Sequence, residues 1–240
     1  MEGVLVSDAI GVVVVTGANR GLGLDLVRAY VDDGHEVVAG CRRPAEAVDL
    51  AALGAEVHAL DTGDSPSIAA FAAAVGERPV AVLVNNAGID ARALSVADDA
   101  RDALQLDGEV FLDVMRVNTV GPMLLTRALV ANLKAAAGKV VNISSQVGSM
   151  EVGRTMGRDV AYVASKAALN MVTLKFAQLL TPAGVTVASM HPGWLRTEMG
   201  GASAALDPAD AAKQIVATIA GLTTDRSPAF VNWDGTDHPW

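Results

Sequence analysis

The chain has 240 residues, of which 51% are hydrophobic and 19% charged, and its formal net charge is −9 at pH 7. This length can bury a large core without disulfides or a structural metal, and the apolar content argues against a disordered chain. The acidic balance argues against nucleic acid or an anionic membrane surface as the main partner.

The predicted elements alternate along the chain. Short valine-rich runs with continuous apolar residues are typical of parallel strands covered on both faces, and longer segments have a helical period. The strands are predicted at 12–15, 36–39, 56–60, 80–85, 139–143, 185–190 and 229–231, and the helices at 22–32, 44–53, 66–75, 108–134, 161–180 and 208–219. The pattern predicts an α/β fold with a doubly wound, seven-stranded, mostly parallel sheet flanked by helices.

Three further predictions concern a helix bend, two loops and the domain organisation. Pro122 is predicted to bend the long fourth helical segment near residues 118–121. The polar or glycine-rich segments 89–106 and 148–160 are predicted to be loops near a functional site. We expect residues 1–240 to form a single domain, with residues 1–10 as an N-terminal extension.

The cellular compartment is predicted from what the sequence lacks. Cys41 is the single cysteine, which favours a reducing environment. No segment approaches the roughly 20 apolar residues of a membrane span. Residues 1–10 contain no basic residue, whereas a signal peptide needs a positively charged N-terminal region. The sequence therefore predicts a cytoplasmic protein.

A glycine-rich segment at residues 16–23 follows the first predicted strand and opens the first helix. Gly17 permits the tight turn, Gly21 lets a phosphate approach the backbone, and Gly23 lets the helix and the strand pack closely. The helix N-terminus presents free N–H groups and a partial positive charge to a pyrophosphate. This placement predicts a Rossmann-type, dinucleotide-binding domain.

The residues after the second strand indicate which dinucleotide is bound. Sites for NAD usually place a carboxylate there, on the ribose 2′-hydroxyl. Here the strand leads to Arg42 and Arg43, and the first acidic residue is Glu46. Arg20, Arg42 and Arg43 can pair with a 2′-phosphate, although they could also be solvated surface residues. NADP(H) is the preferred cofactor, and NAD(H) stays possible.

Six motifs occur in the order that the classical short-chain dehydrogenase/reductase (SDR) family shows, and the chain resembles this family. They are Thr16–Gly23, the Asn-Asn-Ala-Gly of residues 85–88, Asn118, Ser145, the Tyr-x-x-x-Lys of residues 162–166, and the Pro-Gly-x-x-x-Thr of residues 192–197. Within the family, residues 144–149, 165–171 and 230–240 resemble the C-factor/sniffer-type carbonyl reductases.

The resemblance implies an oxidoreductase that interconverts a carbonyl and an alcohol. Tyr162 and Lys166 lie four residues apart and share a helix face. The Lys166 ammonium is expected to lower the pKa of Tyr162 from about 10, as would the charge of an oxidised nicotinamide. Tyr162 would protonate the carbonyl oxygen as hydride reaches its carbon, or act in the reverse direction.

The same resemblance assigns three further roles. Ser145 binds the carbonyl, with Ser144 as the neighbouring alternative. Lys166 also holds the nicotinamide ribose, and Asn118 holds a water that links Lys166 to solvent. Residues 145 and 162 are farther apart than is usual in the family, which predicts an enlarged substrate loop within 148–160.

The remaining cofactor contacts are also implied by the family pattern. It assigns 85–88 to the adenosine ribose, 61–62 to the adenine and 192–197 to the nicotinamide carboxamide. The complete predicted set is Gly17, Asn19, Arg20, Gly21, Leu22, Gly23, Arg42, Arg43, Asp61, Thr62, Asn86, Ala87, Gly88, Tyr162, Lys166, Pro192, Gly193 and Thr197.

The substrate pocket is expected to be apolar and adaptable, which suits a medium-sized ketone or aldehyde. The histidines lack metal-ligand spacing, so no metal is expected. We expect a homodimer or homotetramer, and a monomer stays possible. The candidate substrate residues are Ser145, Met150, Met156, Trp194 and Met199.

Two other functions stay open at this point. One is an NADP(H)-binding sensor or signalling protein without significant turnover. The other is a reductase of carrier-bound 3-oxoacyl groups, which needs a basic patch for its carrier protein. The candidates for such a patch are Arg92, Arg101, Arg154 and Arg158.

Overall fold

The computed structural model describes residues 11–156 and 159–240. The expected N-terminal extension at residues 1–10 lies outside the described residues, as do Gly157 and Arg158. That all 240 residues form one domain stays a prediction. The strands are β1 (Val12–Thr16), β2 (Val37–Cys41), β3 (Glu56–Ala59), β4 (Val80–Asn85), β5 (Lys139–Ile143), β6 (Thr186–His191) and β7 (Ala229–Asn232).

These strands form one seven-stranded sheet in the order β3-β2-β1-β4-β5-β6-β7, and every neighbouring pair is parallel. The doubly wound, Rossmann-type fold class is thereby confirmed. The strand order reverses between β1 and β4, and in such sheets ligands bind in the crevice beyond the carboxyl ends of the strands at that point.

The valine run of β1 shows why the apolar residues are continuous. Val13 and Val15 belong to the core cluster on one face of the sheet, and Val12 and Val14 belong to the cluster on the other. Successive side chains of a strand point to opposite faces, so a strand with both faces covered must be apolar at every position.

Helices cover both faces of the sheet. They are α1 (Gly21–Asp32), α2 (Val48–Ala52), α3 (Ser65–Val75), α4 (Gly108–Met115), α5 (Gly121–Ala128), α6 (Val130–Ala135), α7 (Val160–Leu180) and α8 (Pro208–Gly221). Apolar residues of α1, α2 and α8 pack on one face, and those of α3, α5, α6 and α7 pack on the other.

Two predicted helices are interrupted in the structure. Segment 44–53 is a 3-10 turn, Pro44–Glu46, followed by the short α2. Segment 108–134 divides into α4, α5 and α6, with a π-helical turn at Arg116–Val120 just before Pro122. Proline has no N–H to continue the helical ladder, so an irregular turn next to it is expected, and the predicted bend is confirmed there.

Candidate active site

A cleft of about 1580 Å³ runs along the carboxyl edge of the sheet, from the loop after β1 to the loop after β6. It is larger than the roughly 300–1,000 Å³ of a pocket for one drug-sized ligand. Arg43 does not line the cleft, but all the other residues of the predicted cofactor set do. The family motifs, which are scattered along the sequence, therefore meet at one edge of the sheet.

The loop after β1 is held against the end of β4. Asn86 Nδ2 donates to Thr16 O (2.9 Å) and Gly17 O (3.2 Å), and Thr16 Oγ1 accepts from the main-chain N–H groups of Asn86 and Ala87. A Cβ on Gly17, which has a φ of 63°, would lie 2.9 Å from Ala87 Cα. The loop therefore needs glycine here for both its turn and its close approach to β4.

The role predicted for Gly23 needs a correction. A Cβ there would lie 2.2 Å from Gly17 O, so the close approach is to the carbonyl of the loop rather than to the strand. The same Cβ would lie 2.6 Å from Asn86 Nδ2, so only glycine fits at this contact between α1, the loop and Asn86.

The N-terminus of α1 differs from those of four other helices. Aspartates cap α3, α4, α7 and α8 by accepting main-chain N–H groups, and these are Asp64, Asp107, Asp159 and Asp207. Arg20 precedes α1, and no side chain of the described residues caps that helix. Its free N–H groups and partial positive charge face the cleft, which fits a bound pyrophosphate.

The three arginines predicted to bind a 2′-phosphate take different positions. Arg42 lines the cleft, next to the buried Cys41. Arg43 does not, and its guanidinium pairs with Glu46 at 3.1 Å, so the structure does not bring Arg43 into the cleft as the sequence predicted. Both arginines lie beyond the end of β2, where the chain turns toward the 3-10 turn at Pro44–Glu46. Arg20 lines the cleft and forms an ion pair with Glu198.

Helix α7 places Tyr162 and Lys166 on the cleft wall. Lys166 is 4% exposed, its Nζ donates to Ile143 O at the end of β5 (2.8 Å), and it lies 5.6 Å from the centroid of the Tyr162 ring. Ser145 lies close enough to Tyr162 to lower the pKa of its phenol. The hydroxyl of the alternative residue, Ser144, donates instead to Asn170 Oδ1 (2.7 Å). The geometry favours Ser145 over Ser144.

Burial governs the protonation of both titratable groups. It raises the pKa of Tyr162 to about 12, with Ser145 acting in the opposite direction and nearby Asp90 and Asp159 adding to the rise. Burial also lowers the pKa of Lys166 to about 8. The expected lowering of the Tyr162 pKa is thus not found in the protein by itself, because desolvation raises this pKa and Lys166 is not among the groups that shift it. Tyr162 is a neutral phenol at pH 7.

Asn118 is fully buried in the π-helical turn behind the cleft wall. Its Oδ1 accepts from Ile89 N (2.8 Å), and its Nδ2 donates to Ile89 O (2.7 Å) and Ser165 Oγ (2.9 Å). These bonds connect the start of the 89–106 segment to α7 next to Lys166. The role of Asn118 in holding a relay water stays a prediction.

The expected substrate residues divide into two groups. Trp194 and Met199 line the cleft, but Met150 and Met156 do not. Segment 149–156 folds away from the cleft, with Met150 N donating to Trp240 O (3.0 Å) and Ser149 Oγ to the same oxygen (3.1 Å). The two methionines therefore do not form the predicted substrate loop, and of 148–160 only Asp159 is found in the described lining.

The sequence analysis gave Asp159 and Asp90 no role, and it named Arg92 only for a carrier-protein patch. Asp159 Oδ1 accepts from Tyr162 N (2.9 Å) and its Oδ2 accepts from Ala91 N (2.8 Å), so it connects α7 to the 89–106 loop. Arg92 pairs with Asp90 (2.6 Å) and donates to Met199 O (2.6 Å) across the cleft mouth. Asp159 had a recognisable signal, an aspartate just before an apolar helix.

Residues 11–156 and 159–240 contain no group of three or more His, Cys, Asp or Glu side chains that could hold a metal ion. None of the helices in these ranges is both long enough and apolar enough to cross a membrane.

Comparisons with known proteins agree with this geometry. The family model described as short chain dehydrogenase matches residues 11–206. C-signal of Myxococcus xanthus is 34% identical over 71% of this chain and 99% of its own. The structure of carbonyl reductase Sniffer of D. melanogaster superposes with a TM-score of 0.86 at 33% identity, covering 96% of this chain and 100% of that one. The structure of the NADPH-bound carbonyl reductase from chicken fatty liver superposes with a TM-score of 0.86 at 31% identity, covering 96% of this chain and 99% of that one.

Proposed function

Because the chain belongs to the short-chain dehydrogenase family, we propose that it is an NADPH-dependent carbonyl reductase that acts on ketones or aldehydes. The observation that carries the proposal is the meeting of Tyr162, Ser145 and Lys166 on the wall of one cleft, beyond the uncapped N-terminus of α1. A nucleotide on that helix would run along the carboxyl edge of the sheet toward Tyr162.

The proposed reaction uses the phenol of Tyr162 as the general acid. NADPH supplies the hydride for the carbonyl carbon when it is bound. Ser145 donates a hydrogen bond to the carbonyl oxygen and stabilises the negative charge that develops there. Tyr162, with its pKa raised to about 12, carries the proton that this oxygen takes up. The Lys166 ammonium stabilises the phenolate that remains.

Reprotonation of Tyr162 requires a path from solvent. We propose that Asn118 and Lys166 form this path through a water, since both lie beside Gly88 at the cleft wall. A Cβ at Gly88 would be 3.3 Å from Asn118 Oδ1 and 3.5 Å from Lys166 Nζ. In the oxidative direction, the same tyrosine would accept the proton of an alcohol.

The preference for NADPH over NADH rests on Arg42. This residue follows β2, where an NAD site would carry an acid, and its side chain lines the cleft. Arg20 also lines the cleft, at the phosphate loop. Both guanidinium groups can form bidentate contacts with a 2′-phosphate. Carbonyl reductase relatives with bound NADPH support the same choice.

The substrate is proposed to be a small, largely apolar carbonyl compound. Trp194 is 51% exposed, Met199 is 38% exposed and Leu94 is 37% exposed, and all three line the cleft. A carrier-bound substrate has less support. Arg92 pairs with Asp90 and Arg101 with Asp98, Arg154 does not line the cleft, and Arg158 lies outside the described residues. The homo-oligomeric state and the cytoplasmic location stay predictions.

A second candidate is a nucleotide-binding signalling protein without significant turnover, because one relative is named C-signal. The two functions differ in what they need from Tyr162 and Lys166. A nucleotide sensor needs the phosphate loop and Arg42 but no general acid. The placement of Ser145 and Lys166 beside Tyr162 favours the enzyme.

The test begins with titrations of NADPH and NADH, followed by nicotinamide fluorescence. A panel of aromatic and aliphatic ketones, aldehydes and diketones is then added, and the absorbance of the reduced nicotinamide is recorded. We expect NADPH to bind more tightly than NADH and to be oxidised with some members of the panel. Tight binding without turnover on any of them would favour the signalling protein, and binding of neither nucleotide would exclude both functions.

A further inference from the structure

Ser145 lies in a short turn between β5 and α7, and this turn is shaped by its own bonds. Ser145 O accepts from Gly148 N (2.9 Å), and Ser145 Oγ accepts from Val147 N (3.4 Å). These contacts lie within the turn. They do not fix its position relative to α7, which carries Tyr162 and Lys166.

Asn170 makes that connection from α7, one helical turn after Lys166. Its Oδ1 accepts from Ser144 Oγ (2.7 Å), and its Nδ2 donates to Gly148 O (3.2 Å). The two contacts lie on either side of Ser145. Asn170 is 5% exposed and Ser144 is 1% exposed, so water cannot easily replace these bonds.

The turn also packs directly on the backbone of α7. A Cβ at Gly148 would lie 2.8 Å from the main-chain carbon of Lys166, so only glycine allows this approach. Lys166 Nζ donates to Ile143 O at the end of β5 (2.8 Å). The helix therefore holds the chain at Ile143, Ser144 and Gly148, and Asn170 provides two of the contacts.

We propose that Asn170 is a positioning residue that fixes Ser145 relative to Tyr162 and Lys166. Its consequence for catalysis rests on the proposed function, in which Ser145 binds the substrate carbonyl. Removing the amide leaves the Ser144 hydroxyl and the Gly148 carbonyl buried without partners, which favours displacement of the turn. A displacement of about 1 Å in a catalytic group can cost on the order of a hundredfold in rate.

Thr173 provides a matched control on the same helix. It is fully buried, and its Oγ1 accepts from Asn142 Nδ2 (2.8 Å) and from Ser189 Oγ (2.9 Å). It thus joins α7 to β5 and β6 through two buried hydrogen bonds, as many as Asn170 makes. None of its partners belongs to the turn that carries Ser145.

The experiment compares Asn170→Ala with Thr173→Val in the full chain. We expect both variants to unfold at a lower temperature and to bind NADPH as tightly as the wild type. The kcat for carbonyl reduction should fall about tenfold to a hundredfold in Asn170→Ala and less than about threefold in Thr173→Val. Equal losses in the two variants would overturn the proposal, because Asn170 would then act only on stability.

A second measurement does not depend on turnover. Hydrogen exchange at the Gly148 and Val147 amides should become faster in Asn170→Ala and stay unchanged in Thr173→Val, and unchanged exchange in both would overturn the proposal. If the wild type reduced no carbonyl, the proposed function would fail while this measurement still decided whether Asn170 holds the turn. Should Asn170→Ala not fold, Ser144→Ala removes one of the two contacts, and it should give a smaller change of the same kind.

Discussion

The inner wall and the outer rim of the cleft are built in different ways. The inner wall consists of the loop after β1, the end of β4 and the helix α7, and buried or half-buried hydrogen bonds such as Lys166–Ile143 and Asn86–Thr16 hold it together. The outer rim consists of residues 89–101 and 194–201. Exposed or half-exposed ion pairs connect it, including Arg20–Glu198 and Arg92–Asp90.

Under the proposed function, the inner wall carries the reacting groups and the outer rim governs selectivity for the substrate. Buried hydrogen bonds are costly to break, so the inner wall keeps its reactive groups in place. Ion pairs between exposed side chains contribute little, so the rim can vary with the substrate. Substitutions in the wall should therefore abolish reaction or cofactor binding, whereas substitutions in the rim should change affinities modestly.

The largest effect is expected for the general acid. Tyr162→Phe removes the proton donor, and kcat should fall about 10²- to 10⁴-fold while NADPH binding stays unchanged. The matched control is Tyr30→Phe, because Tyr30 is the other tyrosine and its buried hydroxyl lies away from the cleft without a partner in the described chain. Activity near the wild-type level in Tyr162→Phe would contradict the assignment of Tyr162 as the general acid.

The next effect distinguishes two adjacent arginines. Arg42→Ala should weaken NADPH binding about tenfold or more, since a hydrogen bond to a charged group contributes about 1.5–3 kcal/mol, and NADH binding should not change. Arg43→Ala should leave both affinities unchanged, because Arg43 pairs with Glu46 outside the cleft. Fluorescence titration measures both. Equal effects of the two substitutions would contradict the geometry.

A pH profile tests the charge of Lys166. Burial lowers its pKa to about 8, so the ammonium is lost as the pH rises through that value, while Tyr162 with a pKa of about 12 stays protonated. We expect kcat/KM for reduction to decline above about pH 8. Lys166→Arg should move the decline to higher pH, because guanidinium stays charged. Lys139→Arg, at a partly buried lysine outside the cleft, should not move it.

At the rim, Trp194 is compared with Met150. Removing the Trp194 side chain takes away apolar contact with the substrate, on the order of 1 kcal/mol, so KM for apolar ketones should rise about fivefold in Trp194→Ala. Met150 is 77% exposed and faces away from the cleft, so Met150→Ala should leave KM unchanged. A larger rise of KM in Met150→Ala than in Trp194→Ala would instead support the substrate loop within 148–160 that the sequence analysis predicted.

The smallest effect concerns Glu198, whose carboxylate pairs with Arg20 at the cofactor end. Glu198→Gln frees this arginine for the cofactor phosphate, and NADPH affinity should rise about two- to fivefold, as is typical of exposed ion pairs. Glu46→Gln is the control, because its partner Arg43 lies outside the cleft. Weaker NADPH binding in Glu198→Gln would show that Glu198 supports the site instead.

Some features of the fold and of the cleft could be predicted from the sequence, and others could not. The strands, the sheet class and the cleft positions of Tyr162, Lys166 and Ser145 follow from periodicity and from motifs at strand ends. The outward direction of Arg43 and the folding of 149–156 onto Trp240 depend on loop geometry and on a contact far along the chain. Neither is encoded in a local pattern.

The pKa of Tyr162 also could not be predicted correctly from the sequence. A lysine four residues after a tyrosine predicts a lowered tyrosine pKa, but the structure buries Lys166 and half-buries Tyr162, and desolvation raises the pKa of Tyr162 instead. The extent of burial is a property of the packed site. It decides which form of the tyrosine is present before a cofactor binds.

The central claim is that this chain transfers hydride from NADPH to a carbonyl carbon while Tyr162 provides the proton. The most direct test uses NADPH deuterated at the transferable position of nicotinamide C4, a ketone from the active panel, and mass spectrometry of the product. The account predicts an alcohol with one deuterium on the former carbonyl carbon, formed by the wild type and scarcely by Tyr162→Phe. An alcohol without deuterium, or equal amounts from both proteins, would contradict it.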